Sequence, residues 1–174
     1  MTILPPNVYQ GIVETPVGSV RFALTSAGLV TVNLGGEEAQ FLADVKRRTK
    51  ADPMTSDAKT AHIKQQIKAY FQDNLQIFDM HIDWSIMTPF QSRVLKRVAS
   101  IPYGRYLTYK DIAHEIGQPK AARAVGRANA TNPIPLIIPC HRVLGSDGKL
   151  HGFAAPGGIE TKAWLLKHEG SWLL

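Results

Sequence analysis

The sequence is nearly without cysteine: Cys140 is the single one in 174 residues. A lone thiol excludes an internal disulfide framework and leaves no thiolate cluster for structural zinc, so Cys140 is either inert packing or chemistry. Long apolar runs are also missing. No stretch of about 18 uninterrupted apolar residues occurs, and Met1 to Gln10 lacks the basic and apolar regions of a signal peptide, so a cytoplasmic chain with no membrane partner is expected. None of the six histidines forms an HxxxH or HExxH spacing. His114, His141, His151 and His168 are neighbours in sequence only, and neither a metal nor a cofactor is expected. Internal repeats and low-complexity segments are absent too. Finally, acidic residues are scarce in one half. Residues 1–87 hold 8 Lys+Arg against 9 Asp+Glu, while residues 88–174 hold 12 against 5, so a net −1 is followed by +7. A concentrated positive field attracts polyanions, which makes nucleic acid a candidate partner; a solvated basic face would account for the same charge.

What is present is enough for a packed core: 19.2 kDa with 44% hydrophobic residues. The pattern predicts an α+β protein, with a small β-meander and helix domain over residues 1–87 and a mostly helical domain over residues 88–174. Gln10–Glu14, Ser19–Leu24 and Gly28–Val32 alternate like strands, with a tight turn at Thr25–Gly28. A helix is predicted over Glu37–Lys50, its acidic start and basic Lys46-Arg47-Arg48 end complementing the helix dipole. A second, over Ala58–Asp73, carries a core stripe of Ile63, Ile67, Tyr70 and Phe71. Phe78–Ile86 reads as extended. Thr88-Pro89-Phe90-Gln91 predicts a capping box opening a helix with Phe90, Val94, Leu95 and Val98 inward, stopped by Ile101-Pro102-Tyr103-Gly104.

Thr108 can cap a short helix over Tyr109–Ile116, Gly117 stops it, and Pro119 permits a second helix over Lys120–Ala130, together a helix-turn-helix pattern. Lys120, Arg123 and Arg127 fall on one side, and Ala122, Gly126 and Asn129 on an adjacent small stripe that allows close approach. Packing against the neighbouring helix accounts for Ala121, Ala124, Val125 and Ala128. Asn132-Pro133-Ile134-Pro135 forces a turn and delivers Leu136–Ile138 as a buried extended approach to Pro139-Cys140-His141-Arg142-Val143. A tight turn at Gly145–Gly148, a loop at Gly152–Gly158 and a final helix over Ile159–Glu169, with Ala163, Leu165 and Leu166 inward, complete the chain. A free thiol titrates near ~8.5 and needs a base or a positive group to become a nucleophile, for which His141 and Arg142 are candidates. Consecutive side chains of an extended segment diverge, so His141 reaches Cys140 only through a backbone bend or a water. Glu169, Glu160 and Asp147 are all possible orienting carboxylates for the imidazole.

The run from Asn132 to Val143 resembles the active-site signature of the O6-alkylguanine-DNA alkyltransferases. Thr88-Pro89-Phe90-Gln91, Ile101-Pro102-Tyr103-Gly104, Thr108-Tyr109 and Lys120–Gly126 are similar to the same family in the same order, and Lys162–Gly170 resembles its closing helix. The resemblance is dense over residues 88–170 and general over the first half. It implies direct-reversal DNA repair in a single turnover, with Cys140 accepting the alkyl group of O6-alkylguanine, and leaves O4-alkylthymine open as a second substrate. His141 would take the thiol proton through a water, Glu169 would hold His141, and Asn132 would brace the turn. Tyr109 would press on the phosphate backbone and assist the leaving guanine. Arg123 would fill the space left by the extruded nucleotide, on a helix entering the minor groove of double-stranded DNA. Pro135, Phe153, Ala154 and Ala155 would line the alkyl pocket. A monomer is implied, nucleoid-associated when on DNA if bacterial.

Two departures stand out. The Gly152–Gly158 loop is longer than in many relatives and has Phe153 where tyrosine is common, and the cysteines that bind zinc in some relatives' N-terminal half are missing. A lesion-binding relative without alkyl transfer would lack the acceptor cysteine. A cysteine hydrolase or thiol peroxidase would turn over repeatedly and would need neither the helix pair nor the basic half.

Overall fold

Alternation in the first third of the chain builds a sheet. In the computed structural model, which describes residues 5–153 and 155–171, β1 (Tyr9–Thr15), β2 (Gly18–Thr25) and β3 (Gly28–Leu34) form an antiparallel meander. A two-residue strand, β4 (Met54–Thr55), adds parallel to β1, giving the order β3-β2-β1-β4. Val13, Val20 and Phe22 turn inward, while Ile12 and Glu14 stay exposed. Helix α1 (Glu38–Thr49) packs on β3 through Phe41 and Val45, which join Val8, Ala23 and Val30 in one apolar cluster. Its basic end is occupied locally: Arg47 and Arg48 pair with Asp44, and Lys46 with Asp52. Helix α2 (Asp57–Phe71) lies on β1 and buries Ile63, Ile67 and Tyr70, leaving Phe71 half-buried.

Phe78–Ile86 departs from the predicted extended segment. It makes one bridge, Leu29 to Ile82, and ends in a 3-10 turn, Trp84–Ile86. The bridge exchanges Leu29 N–H to His81 O at 2.9 Å and Asp83 N–H to Leu29 O at 3.0 Å. Gly28, at φ +127, permits it, because a Cβ there would stand 2.7 Å from the His81 carbonyl oxygen.

The chain divides into two compact units, residues 1–86 and 87–174. The second begins with α3 (Pro89–Ala99), capped by Thr88, whose hydroxyl accepts from Gln91 N–H at 3.2 Å, with proline at the first helical position. The predicted capping box is only half formed: the Gln91 amide instead donates to the carbonyl and hydroxyl of Thr131 at 3.0 Å each, tying the start of α3 to the chain near residue 131. Val94, Leu95 and Val98 are fully buried and Phe90 half-buried. The reciprocal box sits at α4 (Tyr109–Glu115), where Thr108 accepts from Asp111 N–H and Asp111 accepts from Thr108 N–H. Gly117, in the left-handed region at φ +75, turns the chain, and a tight turn from Gln118 to Ala121 precedes α5 (Ala122–Ala130). Helix α5 therefore begins two residues later than predicted, because Ala121 N–H closes the turn onto the Gln118 carbonyl at 2.9 Å and Lys120 lies within that turn. The helices α3, α4 and α5 pack on one another. Two parallel rungs, β5 (Leu107–Thr108) with β6 (Val143–Leu144), join the start of α4 to the segment after Cys140. The last helix, α6 (Gly158–His168), packs on the turn that holds Cys140. No helix among the described residues is long and apolar enough to cross a membrane.

Candidate active site

The approach to Cys140 is a braced turn and not the predicted extended run. Asn132, buried after α5, accepts from Ile134 N–H at 2.9 Å and donates to the Ile138 carbonyl at 2.9 Å, while Ile138 N–H closes onto Ile134 O at 2.9 Å. The apolar run Leu136–Ile138 reads as extended in sequence, but this closure leaves Leu136 at φ +74, a strained conformation for a branched residue, held because its side chain is fully buried.

Cys140–Arg142 then forms one 3-10 turn. Side chains here spread around an axis at three residues per turn, so the strict alternation that would send Cys140 and His141 to opposite faces is absent. Cys140, His141 and Arg142 are all buried. Glu169, just past α6, accepts hydrogen bonds from His141 Nε2 at 2.8 Å and from Arg142 Nε at 2.8 Å and Nη2 at 2.9 Å. Arg142 Nη1 also donates to Ile101 O at 2.6 Å. Burial alone would raise the Glu169 carboxyl, but the hydrogen bonds and charges of His141 and Arg142 outweigh it and hold it well below the usual carboxylate range. Burial also lowers His141, against the pull of Glu169. A neutral ring that donates from Nε2 keeps Nδ1 as its acceptor, and Nδ1 is buried with no hydrogen-bond partner among the described residues. Burial pushes the Cys140 thiol up to about 11, opposed by the Asn132 amide, the Lys162 charge and backbone N–H groups. The thiol is therefore protonated at rest and depends on a base at the moment of reaction.

The helix pair adjoins this site. Tyr109, first in α4, lies against α5, its ring 3.9 Å from where a Gly126 Cβ would stand. Burial raises its hydroxyl, with the Asn129 side chain opposing. Asn129 departs from its predicted place on an outward stripe. It is buried and donates to the Cys140 carbonyl at 3.2 Å, because it sits at the seam between the small stripe and the inward Val125–Ala128 face, where a buried carbonyl needs a donor. Arg123, Arg127 and Lys120 are exposed, and none makes an ion pair among the described residues; Ala122 and Gly126 are half-buried and Ala124 is exposed. Of the predicted pocket residues, Pro135, Phe153 and Ala155 are half-buried, and Ala154 lies outside the described residues.

Three roles escaped the sequence reading. Arg142 is a second arm on Glu169, Asn129 holds the Cys140 carbonyl, and Lys162 is wholly buried, where only Ala163, Leu165 and Leu166 were expected inward; Ala163 is half-buried. A clue existed: Lys162, Leu165, Leu166 and Glu169 fall at 0, 3, 4 and 7, the spacing of one inward helix face.

A family profile described as the 6-O-methylguanine DNA methyltransferase DNA binding domain matches residues 89–171. The methylated-DNA–protein-cysteine methyltransferase of Methanosarcina barkeri is 42% identical over 163 residues, 93% of this chain and 97% of its own. That of Mycobacterium tuberculosis is 40% identical over 164 residues, 94% of this chain and 93% of its own. The crystal structure of Mycobacterium tuberculosis O6-methylguanine methyltransferase superposes with a TM-score of 0.78 at 36% identity, covering 94% of this chain and 93% of that one. A structure of the Mycobacterium tuberculosis protein in complex with DNA gives 0.76 at 37% over the same shares. Because the likeness runs through both units and far beyond the thiol motif, the chain belongs to the family of O6-alkylguanine-DNA alkyltransferases, the methylated-DNA–protein-cysteine methyltransferases.

Proposed function

We propose that the protein repairs DNA by direct reversal, moving the alkyl group of O6-alkylguanine, and of O4-alkylthymine, onto Cys140 in a single turnover. The observation that carries this reading is the braced turn that seats Cys140 beside a histidine oriented by a buried, ionised Glu169. Cys140 passes its proton to His141 Nδ1 through a water, and Sγ attacks the carbon attached to O6. The S–C bond forms as the C–O6 bond breaks, and the bonding pair leaves with the guanine as an anion that Tyr109 hydrogen-bonds; water protonates it, and the proton held by His141 returns to water. The product is a thioether that water does not cleave, and no second thiol exists to resolve it.

The target carbon lies inside the base stack, so the nucleotide is extruded toward the site. Helix α5 enters the minor groove, Arg123 fills the space left in the duplex, and Lys120 and Arg127 meet phosphates. Gly126 supports close approach, since a Cβ there would only touch Tyr109, so interior packing does not require glycine at this position. Pro135, Phe153, Ala154 and Ala155 bound the alkyl pocket. Residues 88–174 serve as the DNA-binding and alkyl-acceptor domain and residues 1–87 as a structural one. The protein acts as a cytoplasmic monomer, nucleoid-associated while on DNA if its host is bacterial.

Incubation with duplex DNA containing O6-methylguanine is expected to add the mass of one methylene per protein, on Cys140, and nothing to Cys140→Ser. Repeated turnover would indicate a hydrolase, and DNA binding without mass change a lesion-recognition protein; either outcome removes the transferase reading.

A further inference from the structure

Lys162 has no part in the chemistry above, yet its side chain is entirely buried. Its ammonium donates to the Val143 carbonyl at 2.6 Å and the His151 carbonyl at 3.2 Å, and no carboxylate pairs with it among the described residues. Buried charges are normally paired, and carbonyls alone leave the net charge unanswered. Val143 closes the 3-10 turn that starts at Cys140, its N–H bonded to the Cys140 carbonyl, so the cation sits at the end of the thiol's own turn. The groups around the thiol are His141 and Arg142 on that turn, Tyr109 on α4, and Lys162 and Glu169 at the α6 end of the chain. Glu169 is committed to His141 and Arg142. Of these groups, the one whose charge supports Lys162 against burial is Cys140 itself.

We propose that Lys162 is a positioning residue for the alkyl transfer: a buried cation, fixed by the Val143 and His151 carbonyls, that acts as the counter-charge of the Cys140 thiolate. The inference rests on Cys140 being the alkyl acceptor. Lys162 neither gives nor takes a proton in the step; its charge favours the anion left when the S–H proton moves to His141. The mutual effect is visible in both groups: Lys162 draws the thiol down against burial, and burial brings the ammonium down to about 8 although Cys140 opposes it. The same cation disfavours a second positive charge on His141 and so keeps the imidazole in its accepting form.

The test uses the full chain and iodoacetamide, which reads the thiolate without DNA. The rate of Cys140 alkylation is followed against pH in the wild type, Lys162→Arg, Lys162→Met and Lys162→Gln. Loss of the charge should move the midpoint upward and slow alkylation near pH 7 about tenfold, the effect of one pKa unit, in both neutral variants, while Lys162→Arg keeps the profile. Lys162→Gln can still donate to a carbonyl, so a profile unmoved in Met and Gln variants, with only a lower melting temperature, would reduce Lys162 to a structural clamp. Where the neutral variants do not fold, Lys162→Arg decides: its fixed charge should hold the iodoacetamide midpoint at or below that of the wild type, and a midpoint moved upward with the fold intact overturns the counter-charge. Failure of O6-benzylguanine to label Cys140 would instead remove the transferase reading, leaving the iodoacetamide profile as the measure of Lys162.

Discussion

Glu169 accepts from two cationic or ionisable side chains at once, and this makes it the residue on which site order depends. Replacing it by glutamine leaves the Arg142 guanidinium buried without a counter-charge, and breaking a buried pair from one side costs about 3–5 kcal/mol. Its folded-state carboxyl lies below the ordinary value, so the unfolded chain binds the proton first on acidification. The stability contributed by the pair is therefore fully present above about pH 4.3, the ordinary glutamate value, and is lost as pH falls from there through the folded value. Denaturant unfolding from pH 7 to pH 3 should show Glu169→Gln less stable at neutrality and with a smaller acid loss than the wild type. Equal acid slopes would mean that the three hydrogen bonds carry no net stability. Arg142 and Asn129 were legible only as types in the sequence, since the partners that bury them lie 27 and 11 residues away.

At the scale of elements, α4 and α5 were the most legible part of the molecule. Thr108, Gly117 and the small residues of α5 state their conformations locally, by capping, positive φ and close packing. The start of α5 was misjudged because Pro119 permits a helix where Ala121 N–H instead closes a turn onto the Gln118 carbonyl, and the segment before Cys140 because apolar β-branched residues look alike in a strand and in a buried turn. The exposed face of α5 gives a clean test. Arg123→Ala removes an exposed side chain with no ion pair among the described residues, so folding should be unchanged while duplex repair slows by about tenfold or more, the loss of one contact worth ~1–3 kcal/mol. Reaction with O6-benzylguanine as a free base should be nearly unaffected. Equal loss on both substrates would assign Arg123 to the interior of the fold.

For the whole molecule, the +7 of residues 88–174 sets how it finds its target. Each phosphate contact contributes a slope of roughly −0.9 to the logarithm of binding against the logarithm of salt. Arg127→Ala should therefore reduce the magnitude of the slope by about 1, uniformly across sequences, as read by fluorescence titration of a labelled duplex at several salt concentrations. A slope unchanged by the substitution would take Arg127 off the phosphates, and strong dependence on flanking sequence would indicate base reading. The charge balance, the strand alternation and the family motif together conveyed the α+β class and the kind of chemistry. Lys162 stayed hidden because a lysine in a helix is ordinarily exposed, and only the packing of α6 on the thiol's turn reveals it.

The two rungs between Leu107–Thr108 and Val143–Leu144 have a consequence for how such a chain can change length. They lock the start of α4 to the end of the thiol turn in a single register. Inserting or deleting one residue between Cys140 and Val143 would break the 3-10 turn, whose Val143 N–H closes on the Cys140 carbonyl, and shift the thiol relative to the rung that follows it. Gly145–Gly148 lies beyond that register, in a turn closed on itself by Gly148 N–H to Gly145 O and Gly145 N–H to Lys149 O, so a change of length there leaves the rungs in place. A change of length is thereby borne more easily in the turns after Leu144 than at the junction between the start of α4 and the turn that holds Cys140.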